Sequence, residues 1–337
     1  MMIFTLLLVT APIVDIASSF DSFARSSSFW WGLRTTTIVG KTRSVTGWEL
    51  MRRPIEDDTW EPLATIPYRC RVMGLKRRDD CAVLYTRSFL GSWSKESGVQ
   101  EQGRVENYRI TDSAYSAESG LLFFTGYQSH TETGLALTTG HMSPHGDDYT
   151  AVLLATSDGT IWSMVDSEAG FGYLAVAAYE ERCIAYTSAS SLREFEKTDN
   201  GYQLVGERAT SPPSSPPQYD IRMARSHGGL LIYGRRYHEE HDRLYEVMPD
   251  GAWLDRLGHN VCGLWSVGEE AAWLKSDGFL HIYGKENSQG LYIGPVEPRR
   301  AQRSLSGTLH VMSGDTVLSI NALEGVLTAT EHEIVVE

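Results

Sequence analysis

Alternating apolar and polar runs along the chain predict β-hairpins. In residues 151–165, the run AVLLAT is followed by a Ser-Asp-Gly turn and by a second run that ends in WSMV. Asp-Gly tolerates the positive φ of a tight hairpin turn, so this segment predicts two antiparallel strands. The same order recurs at residues 243–257 and 272–284. No stretch shows helical periodicity, and the recurrence indicates an all-β repeat protein.

Seven segments share the pattern of an apolar strand, a short polar turn and a second apolar strand. They are residues 29–40, 69–87, 121–140, 173–188, 221–234, 262–276 and 308–321. Their starts lie about 40 to 50 residues apart, the length of one four-stranded propeller blade. Two further strand-like runs follow each hairpin. We therefore predict a seven-bladed β-propeller of four-stranded antiparallel blades, with six or eight blades as the alternative counts.

The whole chain, residues 1–337, is predicted to form a single domain that closes into a ring. The predicted blades are residues 23–66, 67–118, 119–168, 169–210, 217–257, 259–297 and 303–337, the last together with residues 2–10. An open ring would leave unpaired backbone at both ends, so we expect residues 2–10 to pair with residues 325–330. The alternative is a signal peptide at residues 1–18. The apolar run lacks a preceding basic residue, because the first is Arg25.

Three Asp-Gly turns carry a resemblance to known proteins. They are Ser157-Asp158-Gly159, Pro249-Asp250-Gly251 and Ser276-Asp277-Gly278. With these turns the repeat resembles the β-propeller superfamily in general, including Trp-Asp-repeat-like proteins. The chain departs from that family because the blades lack a regular Gly-His and Trp-Asp pair. It also lacks the Asp-box of sialidase-like propellers, because Asp and Gly are adjacent here. The resemblance implies a scaffold, and function must come from its sites.

Composition and charge narrow the classes of function. The 337 residues are 42% hydrophobic and 22% charged, as in a soluble globular protein, and the formal net charge is −13. This charge argues against direct nucleic-acid binding, since phosphates require a surplus of Lys and Arg. It suits either solubility alone or a basic protein partner. The apolar run at residues 2–10 is too short for a membrane-spanning helix, so no membrane association is expected.

The four cysteines bear on the compartment. Cys70, Cys81, Cys183 and Cys262 show no metal-binding spacing and no evident pairing. Free, buried thiols in a reducing compartment are the simplest interpretation, which predicts a cytoplasmic protein. A secreted or periplasmic location is the alternative if residues 1–18 are a signal peptide.

The predicted loops are longer on one side of the ring. If the strands of each blade are labelled a to d from the axis outward, the b–c and d–a connections share one side, and the a–b and c–d connections share the other. The long segments 11–28, 88–103, 141–148, 211–218, 235–242 and 295–306 are almost all assigned to the first side. Binding residues are often found on loops of a rigid scaffold, so we expect a partner to bind on this side. The alternative is that these loops lengthened only because nothing constrained their length. The predicted binding residues are Phe89, Trp93, His145, Tyr237, His238 and His241. The basic turn Lys76, Arg77 and Arg78 is assigned to the opposite side.

The sequence offers few candidates for catalytic or metal-binding residues. The His, Glu and Asp side chains of residues 238–242 and 141–148 lack metal-binding spacing on a helix, and we interpret both clusters as solvated turns. No catalytic residue, metal or cofactor is assigned. Arginines at the predicted inner strands can bind a carboxylate or a phosphate, or pack structurally. These are Arg69, Arg71, Arg222 and Arg225.

Two functional hypotheses follow. The first is a non-catalytic, monomeric propeller that binds a protein partner, and its specific form is an acidic inhibitor or immunity-type protein for a basic toxin or nuclease. The charge of the chain motivates that form. The alternative is a propeller hydrolase or lyase that acts on a glycan-like substrate at the channel mouth. It is disfavoured because the sequence shows no catalytic constellation.

Overall fold

The computed structural model is all-β. It describes residues 20–39, 44–57, 59–67, 69–75, 78–86, 88–101, 108–130, 145–213, 217, 219–226, 229–235, 242–255, 261–267, 270–283, 290–294, 301–303, 308–313, 316–323 and 326–333. These residues form seven four-stranded sheets. Within every sheet the neighbouring strands are consecutive in sequence and antiparallel. The predicted seven-bladed propeller is therefore confirmed.

The first four blades take up residues 22–209. Blade 1 contains β1 (Ser22–Arg25), β2 (Phe29–Val39), β3 (Ser44–Pro54) and β4 (Glu61–Ile66). Blade 2 contains β5 (Arg71–Gly74), β6 (Cys81–Tyr85), β7 (Leu90–Ser94) and β8 (Gly98–Glu101). Blade 3 contains β9 (Tyr108–Ser116), β10 (Leu121–Ser129), β11 (His145–Thr156) and β12 (Ser163–Phe171). Blade 4 contains β13 (Tyr173–Tyr179), β14 (Arg182–Thr187), β15 (Ser191–Thr198) and β16 (Gly201–Ala209).

Three further blades complete the ring. Blade 5 contains β17 (Tyr219–Ser226), β18 (Gly229–Arg235), β19 (Arg243–Val247) and β20 (Trp253–Asp255). Blade 6 contains β21 (Val261–Val267), β22 (Glu270–Lys275), β23 (Phe279–Ile282) and β24 (Leu291–Tyr292). Blade 7 contains β25 (Ala301–Arg303), β26 (Leu309–Ser313), β27 (Thr316–Leu323) and β28 (Val326–Glu333). None of the described residues belongs to a helix, so none forms a helix able to cross a membrane.

The core lies between the blades. Seven clusters of buried apolar side chains each join two neighbouring blades. The middle strands, such as β10, are buried on both faces, whereas the outer strand β16 is mostly exposed. A strand buried on both faces reads as a continuous apolar run, which explains why the second strands of the blades are the clearest in the sequence.

The ring closes by side-chain packing between blades 7 and 1. Phe23 and Trp30 of blade 1 pack in one cluster with Val317 of blade 7. The ring of His310, which is buried in blade 7, contacts the Trp30 ring edge-on at a centroid distance of 5.3 Å. The fourth strand of blade 7 is β28, which pairs with β27. Residues 2–10, which were expected to supply that strand, lie outside the described residues.

Several strands occupy a different place in the strand order of the blades from the one that the sequence predicts. Residues 29–40, predicted as a hairpin, contribute the single strand β2, and the blade begins with β1. Residues 88–103, predicted as a loop, contain β7 and β8, so β9 begins blade 3 and does not end blade 2. In blade 7 the predicted first hairpin supplies the second and third strands. The missed strands are short or rich in Gly and Ser, so they lack the apolar run that marks a strand in the sequence.

The Asp-Gly turns have the backbone conformation that the sequence predicts. Gly159, Gly251 and Gly278 have φ values of +73°, +86° and +89°. In the first of these turns, Asp158 Oδ1 accepts hydrogen bonds from the main-chain N–H groups of Thr160 (2.9 Å) and Ile161 (2.8 Å). This Asx-type turn replaces the ladder bonds that the chain loses where it reverses.

Candidate functional site

A polar pocket lies at one mouth of the central channel. The inner strands β1, β5, β9 and β17 all start at this mouth, together with the d–a and b–c connections; we call this side the loop face and the opposite side the turn face. The pocket has a volume of about 280 Å³. Its lining comes from blades 1, 2, 3 and 5 and consists of Asp21, Arg69, Cys70, Arg71, Tyr85, Thr86, Ile110, Thr111, Asp112, Asp220 and Arg222.

Arg69 and Asp21 form an ion pair at the rim of the pocket. Arg69 Nη2 lies 3.0 Å from Asp21 Oδ1. The other carboxylate oxygen of Asp21 accepts hydrogen bonds from Trp48 Nε1 (2.8 Å) and Thr35 Oγ1 (2.7 Å). Asp21 is therefore fixed by blade 1. The Arg69 side chain is 60% exposed, and an ion pair this exposed contributes little to stability, so the guanidinium can turn towards a ligand at low cost.

Arg222 and Asp112 form a second ion pair, deeper in the channel. Arg222 Nη1 of blade 5 contacts Asp112 Oδ1 of blade 3, so the pair spans the channel past blade 4. Asp112 Oδ2 also accepts a hydrogen bond from the main-chain N–H of Val176 in blade 4 (3.2 Å). Burial lowers the pKa of Arg222, but the Asp112 carboxylate outweighs that effect and holds the pKa above its ordinary value. The Arg222 guanidinium therefore stays charged, and its contact with Asp112 helps to tie three inner strands together.

Arg71 is the third guanidinium of the pocket, and it lacks a partner among the described residues. It lies opposite Tyr85 in the β5–β6 ladder and is partly buried. No described residue accepts a hydrogen bond from its side chain or forms an ion pair with it. Residues two apart in an extended segment project to the same side, so Arg69 and Arg71 both project to the pocket. Blade 2 therefore makes its side of the mouth positive.

Cys70 lies between these two arginines and contributes no activated nucleophile. Its side chain is buried, and burial raises the pKa of the thiol to about 12. The thiolate is the nucleophilic form of cysteine, and a thiol with this pKa stays protonated at neutral pH. The chemistry of the described mouth is therefore that of charged hydrogen-bond donors and carboxylates.

Asp220 adds a carboxylate on the far side of the pocket. It is exposed, and its φ of 48° lies in the left-handed region that aspartate adopts more readily than most residues. Its charge acts on both Arg222 and Arg235. The mouth is thus asymmetric, with two arginines on the blade 2 side and an additional carboxylate on the blade 5 side.

Two of the predicted binding residues lie in the core. Trp93 is 5% exposed and belongs to β7, so the prediction that it lies in a loop is wrong. It packs with Phe89 in the cluster between blades 1 and 2, with its ring 5.8 Å from that of Trp31. The Gly and Ser residues around Trp93 obscured a short strand whose side chains are buried against the neighbouring blade. Neither side chain is available as an exposed anchor.

The other four predicted binding residues stay predictions. His145 is the first residue of β11, at the loop-face end of that strand, and its side chain lies outside the described part of the structure. Tyr237, His238 and His241 also lie outside the described residues. Among the residues that the structure does describe, no group of three His, Cys, Asp or Glu side chains is arranged to hold a metal ion.

The structure brings together three of the four arginines that the sequence marks at the inner strands. Arg69, Arg71 and Arg222 line the pocket, whereas Arg225 stacks over the ring of Tyr179 with its Cζ 3.7 Å from the ring centroid. Sequence reasoning missed the carboxylates Asp21, Asp112 and Asp220. The available signal was their position: Asp112 lies within an inner strand, and Asp21 and Asp220 lie at the start of one, where an apolar residue would be the default.

Comparisons with known proteins concern the fold. No protein-family model and no curated protein matches the chain. Hsv2 of Kluyveromyces lactis is 12% identical with a TM-score of 0.47, over 94% of this chain and 100% of that chain. AztD of Citrobacter koseri is 11% identical with a TM-score of 0.48, over 93% of this chain and 86% of that chain. The acylaminoacyl peptidase of Pyrococcus horikoshii is 8% identical with a TM-score of 0.49, over 94% of this chain and 52% of that chain.

Proposed function

We propose that this protein is a non-catalytic binding propeller that holds a protein partner on its loop face, with the channel mouth at the centre of the contact. The observation that carries the proposal is the convergence of Arg69, Arg71 and Arg222 on one pocket at that mouth. Arginine is enriched among the residues that dominate protein–protein binding energy, especially where a partner's side chain fills a pocket.

The rigidity of the mouth supports this function. Its charged side chains project from inner strands whose neighbours are buried on both sides, and the Arg222–Asp112 pair ties blades 3 and 5 together. A site on such strands is held in its binding geometry before the partner arrives, so little conformational entropy is lost on association.

The charge of the molecule supports a partner with a basic surface. A net charge of −13 attracts a positively charged protein over distances of about one Debye length, roughly 8 Å at physiological salt, and raises the association rate. The positive side of the mouth then binds an acidic group that lies within the otherwise basic surface of the partner. An inhibitor or immunity-type protein for a basic toxin or nuclease is the specific form of this proposal.

The experiment compares two arginines of blade 2 on opposite faces. Arg69 lies at the loop-face mouth, and Arg78 lies in the a–b turn on the turn face; each pairs with one aspartate. The tagged wild-type protein, Arg69→Ala and Arg78→Ala are used to capture a partner from lysate of the source cells. The partner is identified by mass spectrometry, and its affinity for each protein is then measured.

We expect Arg69→Ala to weaken binding by about tenfold or more, because a mouth arginine contacts the partner. Arg78→Ala should stay within about twofold of wild type, since the contacts that it removes, with Asp80 and Thr160, lie on the turn face outside the interface. Circular dichroism and melting temperature should match wild type for both variants. Loss of binding in Arg78→Ala alone would place the contact on the turn face, and a wild-type protein that retains no partner would refute the binding function.

A further inference from the structure

One of the three guanidiniums that line the mouth pocket forms no ion pair with a described residue. Arg69 is paired with Asp21 and Arg222 with Asp112, whereas Arg71 has no partner among the described residues. We infer that Arg71 binds a single carboxylate group that the partner inserts into this pocket, an inference that rests on the proposed function. A partly buried guanidinium has lost part of its hydration, and an inserted carboxylate restores its hydrogen bonds.

A second donor lines the same pocket as Arg71. It is Thr86, which follows Tyr85, the ladder partner of Arg71. Its Oγ1 accepts hydrogen bonds from the main-chain N–H groups of Ser88 and Phe89, each at 3.0 Å. These bonds fix the oxygen, and the described residues provide no acceptor for the hydroxyl hydrogen. The pocket that contains Arg71 therefore also offers a hydroxyl donor to a bound carboxylate.

The charges around the pocket favour a carboxylate over a phosphate. Asp21, Asp112 and Asp220 line the same cavity as the three arginines. The lining therefore carries equal numbers of guanidinium and carboxylate groups, so a bound monoanion adds one uncompensated negative charge, whereas a phosphate dianion adds two. At an effective dielectric constant of about 20, charge repulsion over a few ångströms is worth several kcal/mol, so the dianion is selected against.

The size of the pocket restricts what enters. Its volume of about 280 Å³ lies at the lower end for ligand pockets, which usually hold a whole small molecule at about 300 to 1,000 Å³. One terminal residue or one side chain of a protein fits this space. The carboxylate can come from the C-terminus of the partner or from an aspartate or glutamate side chain, and the choice of probes separates these two sources.

The test titrates the full-length ¹⁵N-labelled chain with small molecules and follows the Nε–Hε resonance of Arg71 by NMR, assigned through its loss in Arg71→Gln. N-acetylglycine represents a C-terminal carboxylate, and the α-amide of N-acetylaspartate represents an acidic side chain. N-acetylglycinamide is the matched neutral probe, and inorganic phosphate is the matched dianion. Because no partner is present, the result does not depend on the capture experiment, and either can fail without the other.

At least one carboxylate should shift the resonance to saturation, with a dissociation constant on the order of 1 mM. The carboxylate probe that binds more tightly shows whether the partner supplies its C-terminus or an acidic side chain. In the Arg71→Gln variant, binding is followed through the Nε–Hε resonances of the other mouth arginines. This variant should bind the carboxylate about tenfold more weakly, whereas Arg78→Gln should bind it with unchanged affinity. Equal shifts with N-acetylglycinamide, tighter binding of phosphate, unchanged affinity in a folded Arg71→Gln protein, or no saturation by either carboxylate would each overturn the inference.

Discussion

The Arg222–Asp112 pair shows how single residues shape the channel. Asp112 is 1% exposed and Arg222 is 27% exposed, so both charges are largely withdrawn from water. Each partner alone would be an uncompensated buried charge, and together they connect blade 3 to blade 5 beside Val176 of blade 4. Both side chains also line the pocket that contains Arg71.

Removal of one partner from this pair should be costly. Asp112→Ala leaves the Arg222 guanidinium without its carboxylate, and we expect a loss of about 3 kcal/mol in the free energy of unfolding, measured by chemical denaturation. The control is Glu196→Ala, which breaks the Arg182–Glu196 pair of blade 4, whose side chains are 37% and 34% exposed. That control should lose less than about 1 kcal/mol. Equal losses in the two variants would show that the channel pair is no more buried in solution than the outer one.

At the level of individual residues, the sequence predicts the donors of the pocket better than its acceptors. Arg69, Arg71 and Arg222 stand out because charged side chains are unusual on inner strands. Asp21 and Asp112 could not be assigned, since their partners lie in other parts of the chain and only the closed ring brings them together. Trp93 was misplaced because its burial depends on the neighbouring blade rather than on its own segment.

At the level of strands and turns, prediction succeeds where apolar runs and turn residues agree. Blade 4 follows the predicted order of strands, with a Glu-Glu turn at residues 180–181 between β13 and β14. The short strands β7, β8 and β25 were missed, because three to five residues rich in Gly, Ser and polar side chains resemble a loop. Such strands are held by the ladder and by the neighbouring blades rather than by local propensity.

Two glycines at c–d turns separate backbone strain from packing. Gly98 is the first residue of β8, directly after its c–d turn, and Gly159 lies in the c–d turn of blade 3; their φ values are +63° and +73°. A Cβ atom at Gly98 meets open space, whereas one at Gly159 would lie 2.6 Å from Leu75 Cδ1 in the core between blades 2 and 3. The first position therefore tests φ alone, and the second tests φ together with overpacking.

We expect Gly98→Ala to lower the free energy of unfolding by about 1 kcal/mol, the cost of a left-handed alanine. Gly159→Ala should lower it by about 3 kcal/mol, since the methyl group also displaces a packed leucine. Denaturant unfolding of both variants measures the difference. If the two alanines cost the same, the turn of blade 3 does not pack against blade 2 as tightly as the structure shows.

At the level of the whole molecule, the closed ring brings the residues of the mouth pocket together. Residues from 21 to 222 meet at one pocket because the inner strands of blades 1, 2, 3 and 5 start at the same mouth. The seven-blade count follows from the repeat spacing, and the two faces follow from the alternation of strand direction. The closing contact does not follow from the sequence, because the packing of Trp30, Val317 and His310 joins segments almost the whole chain apart.

A structure of the complex with the captured partner would show directly which face is bound. We expect the partner to cover the loop face and to insert one carboxylate into the mouth, with an oxygen about 3 Å from the Arg71 guanidinium. Arg69 and Thr86 should lie within the same contact, and the turn around Arg78 should remain in solvent. A partner seated on the turn face, or a loop-face complex whose mouth pocket holds no acidic group, would contradict the account.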